Sequence, residues 1–202
     1  MNFRAVPLLL ALLVLAACNP PSSAPTAPAN NAPSASDAVQ AKGTAPADAA
    51  SDADGNGMVI RDTTAATPTL SVPTVDGKSF DLAQHRGRWV VVNFWATWCG
   101  PCLKEMPELS ALDAMREDVD VIGLAYEDIT VEEMNAFLKE HPVVYPIAIV
   151  DVMSPPADFA TPRGLPMTYL INPAGGVARQ FAGPVSAQDI QALIAEAKPS
   201  GG

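Results

Sequence analysis

Hydrophobic and polar positions change their period several times along this chain, and each change marks a boundary. Ala5 to Ala17 is apolar throughout, broken only by Pro7, and is preceded by Arg4. The run is shorter than the roughly 20 residues that cross a bilayer as a helix, so a cleaved signal segment over 1–17 is expected instead of a spanning helix. Asn19 to Gly57 follows with 12 Ala, 6 Pro and 5 Ser, and Val39 is its only large aliphatic side chain. Such a segment cannot bury enough apolar surface to offset the entropy of ordering, and a disordered tether is expected over 18–57. As a flexible chain its root-mean-square reach is on the order of 35 Å. A folded domain is expected over 58–202.

Within that domain strand and helix periods alternate. Leu70 to Pro73 and Lys78 to Leu82 flank Asp76-Gly77, a hairpin signal. Trp89 to Trp95 is a nearly continuous apolar, β-branched and aromatic run, as expected of a central strand buried on both faces. From Pro101 to about Arg116, Leu103, Met106, Leu109, Leu112 and Met115 recur at helical spacing, and Pro107 is expected to kink the helix. Val119 to Tyr126 reads as a strand. Thr130 to Glu133 has the form of a capping box, opening a helix with Val131, Met134, Phe137 and Leu138 on its apolar face and a stop before Pro142. Val143 to Asp151 is the next strand. Met167 to Ile171 and Val177 to Phe181 bracket a turn as an antiparallel hairpin, and Ser186 caps a last helix to Ala197. The order is β-α-β-α-β-β-α after an N-terminal hairpin, an α/β class.

Composition narrows the function classes. Setting aside 57 of the 202 residues leaves 145, enough for one domain that buries about 68–70% of its surface. The net charge is −10, so the long-range field repels phosphate backbones and no nucleic-acid partner is expected. Three cysteines, Cys18, Cys99 and Cys102, are too few for a disulfide-dense scaffold. A lone C-x-x-C is also half of a zinc knuckle, but there is no second Cys pair and His85 and His141 are distant in sequence. Neither a metal nor a cofactor is expected.

The chemistry concentrates at Trp98-Cys99-Gly100-Pro101-Cys102, where a buried strand opens into a helix. Backbone N–H groups and the macrodipole at a helix mouth favour an anion, so Cys99 is expected to be the attacking thiolate. Cys102 lies almost one turn further in, placed to resolve a mixed disulfide. Pro101 suits the first helical turn because its missing N–H has no intrahelical partner to lose. Trp95 is expected in the core and Trp98 against the dithiol and its partners. His85 and His141 are expected on solvated loops, and Asp118, Asp120, Glu132 and Glu133 on solvated acidic surface.

Val91 to Cys102, Glu105, Pro107 and Gly164 to Ile171 resemble the thioredoxin superfamily, and more closely the membrane-tethered TlpA/ResA/DsbE-like thiol-disulfide oxidoreductases. The resemblance implies a thioredoxin-like fold, a central mixed sheet flanked by helices with the hairpin added at the N-terminus. It also implies that Pro166 is the superfamily's cis-proline, the plain alternative being a proline that opens a strand. Trp98, Gly100, Pro101 and Leu165 are then expected to contact substrate. Thioredoxin has a buried Asp six residues before its first active-site Cys, where this chain has Asn93, which cannot take a proton. Glu105, three residues after Cys102, occupies the position where these relatives carry a Glu. It either exchanges a proton with Cys102 or only complements the helix dipole. Leu15-Ala16-Ala17-Cys18 resembles a bacterial lipobox, which implies lipidation of Cys18 and a domain anchored at the periplasmic face of a membrane. The alternative is an ordinary secretory peptide with an incidental Cys18.

The function implied is reduction of disulfides in exported proteins, fed by a membrane-bound electron donor and including the upkeep of apocytochrome c thiols. Gly100-Pro101 favours the reducing direction, since it matches thioredoxin at about −270 mV and not a strong oxidant at about −120 mV. A peroxidase on the same fold is disfavoured because Thr97 lies two positions before Cys99 where three are expected. A copper-delivery module would need C-x-x-x-C and a downstream His, and the chain has neither at this site.

Overall fold

In a computed structural model that describes residues 59–197, the alternating periods become β1 (Ser71–Pro73), β2 (Ser79–Asp81), β3 (Trp89–Trp95), α1 (Gly100–Met115), β4 (Val119–Tyr126), α2 (Val131–Glu140), β5 (Ile147–Val150), β6 (Met167–Ile171), β7 (Val177–Ala182) and α3 (Ala187–Ala197). A short 3₁₀ turn, Leu82–His85, joins the first hairpin to β3. The signal segment, Cys18 and the tether fall outside the described residues. Among those described, no helix is long and apolar enough to cross a membrane.

Strand β3 is buried at all seven positions because it is paired on both edges and covered on both faces. The sheet order is β5-β4-β3-β6-β7, with β3, β4 and β5 mutually parallel, β6 antiparallel to β3, and β7 antiparallel to β6 and so running in the direction of β3. The crossovers β3-α1-β4 and β4-α2-β5 step in the same direction across the sheet. Right-handed connections therefore put both helices on one face. Buried residues of α1, α2 and α3 accordingly share one cluster with Trp89, Val91 and Trp95. Val90, Val92 and Phe94 point the other way, into a second cluster closed by Leu70, Phe80, Leu82 and Phe159. The expected N-terminal hairpin forms as an antiparallel ribbon, with Gly77 taking the positive φ of +80° that its turn requires.

Three local expectations need correction. Only Ile147–Val150 of the run Val143 to Asp151 is strand. Upstream of it Pro146 has no N–H to give a ladder, Val144 is exposed and Tyr145 turns into the core. Val131 lies exposed on the first turn of α2, so the buried face of that helix rests on Met134, with Phe137 and Leu138 half-buried. His85 is not on a solvated loop: its ring stacks on Phe80 and its Nδ1 lies 2.8 Å from Asp120, which also pairs with Arg88 and is itself largely covered.

Candidate active site

Cys99 is the N-cap of α1, and its position follows from the strand before it. β3 pairing ends at Trp95, a turn closes with Cys99 N–H donating to Ala96 C=O at 3.1 Å, and the helix begins. Cys99 Sγ accepts the backbone N–H of Cys102 at 3.3 Å, so the sulfur occupies the place where an N-cap side chain meets the open end of a helix. Cys99 and Cys102 are joined as a disulfide with Cα atoms 5.2 Å apart. Cys99 retains 5% exposure and Cys102 none, so Cys99 is the one residue of the pair with any surface.

Three residues after Cys102, Glu105 is buried at 4% exposure with both carboxylate oxygens engaged. Asn93 Nδ2 donates to Oε1 at 2.7 Å, and the Val185 N–H donates to Oε2 at 3.0 Å. The Asn93 amide also donates to Thr168 Oγ1 at 2.9 Å, across the β3–β6 register that places these two residues side by side. Burial pushes the Glu105 carboxyl above its ordinary range, and the charge of Glu108 adds to that. The donors from Val185 and Asn93 pull the other way. Tyr145, packed in the same cluster, is held well above the ordinary phenol range by burial and, after that, by the negative charges of Glu105 and Asp113. A Glu that merely complemented the dipole would sit at the surface. This one is held inside by two donors.

The residues expected to meet substrate surround this point unevenly. Trp98 is 70% exposed, one residue before the buried Cys99. Gly100 and Pro101 are exposed at the start of α1. Leu165 packs against the cluster that holds both cysteines, and the Leu165–Pro166 bond is cis. Phe94 pairs with Met167, so Pro166 enters β6 at the end of the sheet where β3 leads into the Cys99 turn. The Pro166 carbonyl accepts from Gly183 N–H at 2.9 Å, and the proline borders a groove of about 490 Å³ that also touches Arg61, Thr161, Arg163 and Leu165. Thr168 and Val185 were not singled out from the sequence. Thr168 lay within the quoted Gly164 to Ile171 motif, while a backbone N–H carries no residue-type signal at all.

The profile of one family matches residues 40–194, opening ahead of the boundary expected at residue 58 and running through the whole site. The chain belongs to the Redoxin family. It is 28% identical over 134 residues to thiol-disulfide oxidoreductase ResA of Bacillus anthracis, covering 65% of this chain and 76% of that protein. ResA of Bacillus subtilis (strain 168) is also 28% identical over 134 residues, covering 65% and 74%. Among solved structures, a thiol:disulfide interchange protein of the thioredoxin family from Chlorobium tepidum TLS superposes with a TM-score of 0.55 at 26% identity, over 69% of this chain and 98% of that one. The expected thioredoxin-like fold and kinship are borne out, with a mixed five-strand sheet and a Cys pair bonded at its helix mouth.

Proposed function

We propose that this Redoxin-family chain is a thiol-disulfide oxidoreductase that reduces disulfides of exported proteins, with Cys99 as nucleophile, Cys102 as resolving thiol and Glu105 as the proton acceptor for Cys102. The observation that carries the reading is the Cys99–Cys102 disulfide at the mouth of α1, one helical turn from a carboxylate buried on two donors. The helix mouth favours the Cys99 thiolate, which attacks one sulfur of a substrate disulfide. A mixed disulfide forms and the other substrate sulfur leaves as a thiolate. Cys102 passes its proton to Glu105 and attacks Cys99 Sγ, which releases the second substrate sulfur. The substrate gains two electrons, the protein keeps the disulfide, and a dithiol donor at the membrane returns two electrons for the next turn.

A raised carboxyl suits that proton step, because a base titrating nearer the working pH both accepts and returns a proton. Trp98, Gly100, Pro101 and Leu165 form the contact surface, with Pro166 beside them. Cys18 is the lipid attachment point of a tethered domain at the periplasmic face of a bacterial membrane, and disulfide-bonded apocytochrome c is among the substrates. The test is to express Cys102→Ser in cells and identify what it holds. The expected result is stable mixed disulfides through Cys99 with exported Cys-containing proteins, and none from Cys99→Ser. Recovery of no such adduct, with the variant folded and exported, contradicts the reading. Cys18→Ser should move the protein from membranes to the soluble exported fraction, and unchanged membrane association contradicts the anchor.

A further inference from the structure

The turn that delivers Cys99 is held by a carboxylate from the neighbouring strand's end. Thr97 and Trp98 are its central positions, closed by the Cys99 N–H to Ala96 C=O bond, so the Thr97 N–H has no part in the turn itself. A covered backbone donor needs a partner. Glu127 supplies it: Oε1 accepts the Thr97 N–H at 2.6 Å and Oε2 accepts the Thr97 hydroxyl at 2.9 Å. The pairing follows from register. Trp95 faces Ala125 across the parallel strands β3 and β4, and Thr97 and Glu127 each lie two residues beyond, so a side chain continues the ladder where the backbone stops.

Two donors on two oxygens are the demand of an ionised carboxylate, and charge-assisted bonds of this kind are the strong ones. The groove beside Glu127 adds Asp128 and Asp151, with no basic residue among those lining it. On the other side of the dithiol, the charged groups of α1 nearest in sequence are Lys104, exposed, and Glu105, buried. A negative charge fixed two residues from Cys99 opposes a thiolate there and favours the disulfide over the dithiol.

We propose that Glu127 is a positioning residue of this dithiol: its carboxylate fixes the turn that presents Cys99, and its held charge disfavours the Cys99 thiolate, keeping the couple more reducing. The inference rests on the reading of Cys99 and Cys102 as an exchanging pair. The experiment measures, for the full-length protein, the pH dependence of Cys99 alkylation after reduction and the equilibrium of the dithiol with glutathione. Glu127→Gln removes the charge and one acceptor, whereas Thr97→Ala removes one hydrogen bond and keeps the charge.

We expect the alkylation profile of Glu127→Gln to move to lower pH by about half a unit, a threefold change in thiolate fraction. Measured at a pH above the Cys99 pKa, where the thiolate dominates, its glutathione equilibrium should shift about threefold toward the dithiol, which is about 14 mV for a two-electron couple. Thr97→Ala should stay with the wild type in both. Superimposable profiles and equilibria for Glu127→Gln and wild type overturn the proposal, as does a Thr97→Ala shift as large as that of Glu127→Gln. A wild-type dithiol that does not exchange with glutathione instead overturns the functional reading on which the proposal rests.

Discussion

The two faces of the central sheet are built from the same strand and do different work. On one, Val90, Val92 and Phe94 meet Ile122, Leu124, Phe159 and Tyr169 in a cluster of aliphatic and aromatic groups. Phe94 alone lies edge-on or tilted against Tyr126, Phe159 and Tyr169, with ring centroids 6.4, 5.8 and 6.1 Å away. On the other, the alternate residues of β3 include Asn93, and the layer under α1 carries a bonded cysteine pair, a carboxylate, an amide and a threonine hydroxyl. Both are fully covered. The difference teaches that one face supplies cohesion, which leaves the other free to hold groups that cost stability and perform chemistry.

Breaking the apolar face should have the largest effect and leave the chemistry alone. Phe94→Ala removes a fully buried ring and is expected to cost about 3–5 kcal/mol in a denaturant or thermal melt, with the exchange rate per folded molecule unchanged. A selective loss of exchange with intact stability would erase the contrast between the faces. Next comes Gly123, the β4 residue opposite Asn93. A Cβ there would stand 2.6 Å from Ile147 Cδ1 and 2.9 Å from Trp95 Nε1, so Gly123→Ala should overpack the helix-side face and cost about 1–3 kcal/mol.

The smallest effect concerns Glu105 and has a sign set by linkage. Its folded carboxyl titrates above the ordinary 4.5, with burial the main cause, so the folded state binds the proton more tightly than the unfolded chain does. The stability that the neutral form contributes is complete below that ordinary value and is lost as pH rises through the raised folded one. Wild-type stability relative to Glu105→Gln should therefore fall as pH rises from about 4.5, then level off above the folded value. Melts of the oxidised proteins from pH 4 to 8 check this. A difference that grows with pH would mean that the two donors outweigh burial.

Much of this contrast was legible in the chain. The unbroken run Trp89 to Trp95 forecast a strand covered on both sides, and Cys99 and Cys102 were visible by spacing and by their place between strand and helix. Glu105 was visible as a residue but its burial was not, because a Glu in an early helical turn reads equally well as surface charge. Asn93 stood out only as a residue that cannot take a proton, and the register with Thr168 and the approach of α1 show that it ties three elements together. The strand overreach at Val143 to Pro146 has the same origin: apolar residues entering a core from a loop look like strand until pairing partners are known. His85 and Asp120 show the converse, two polar residues covered because each satisfies the other.

The rate of disulfide exchange by the reduced protein, followed from pH 5 to 9 for wild type and Glu105→Gln, tests the central claim most directly. If the buried carboxylate takes the proton of Cys102, the variant should stay folded and show a displaced pH profile with altered macroscopic pKa values, because coupled groups titrate as a set. Superimposable profiles, with only a small change in melting temperature, would contradict the claim and leave Glu105 as a residue that the helix-side face merely buries.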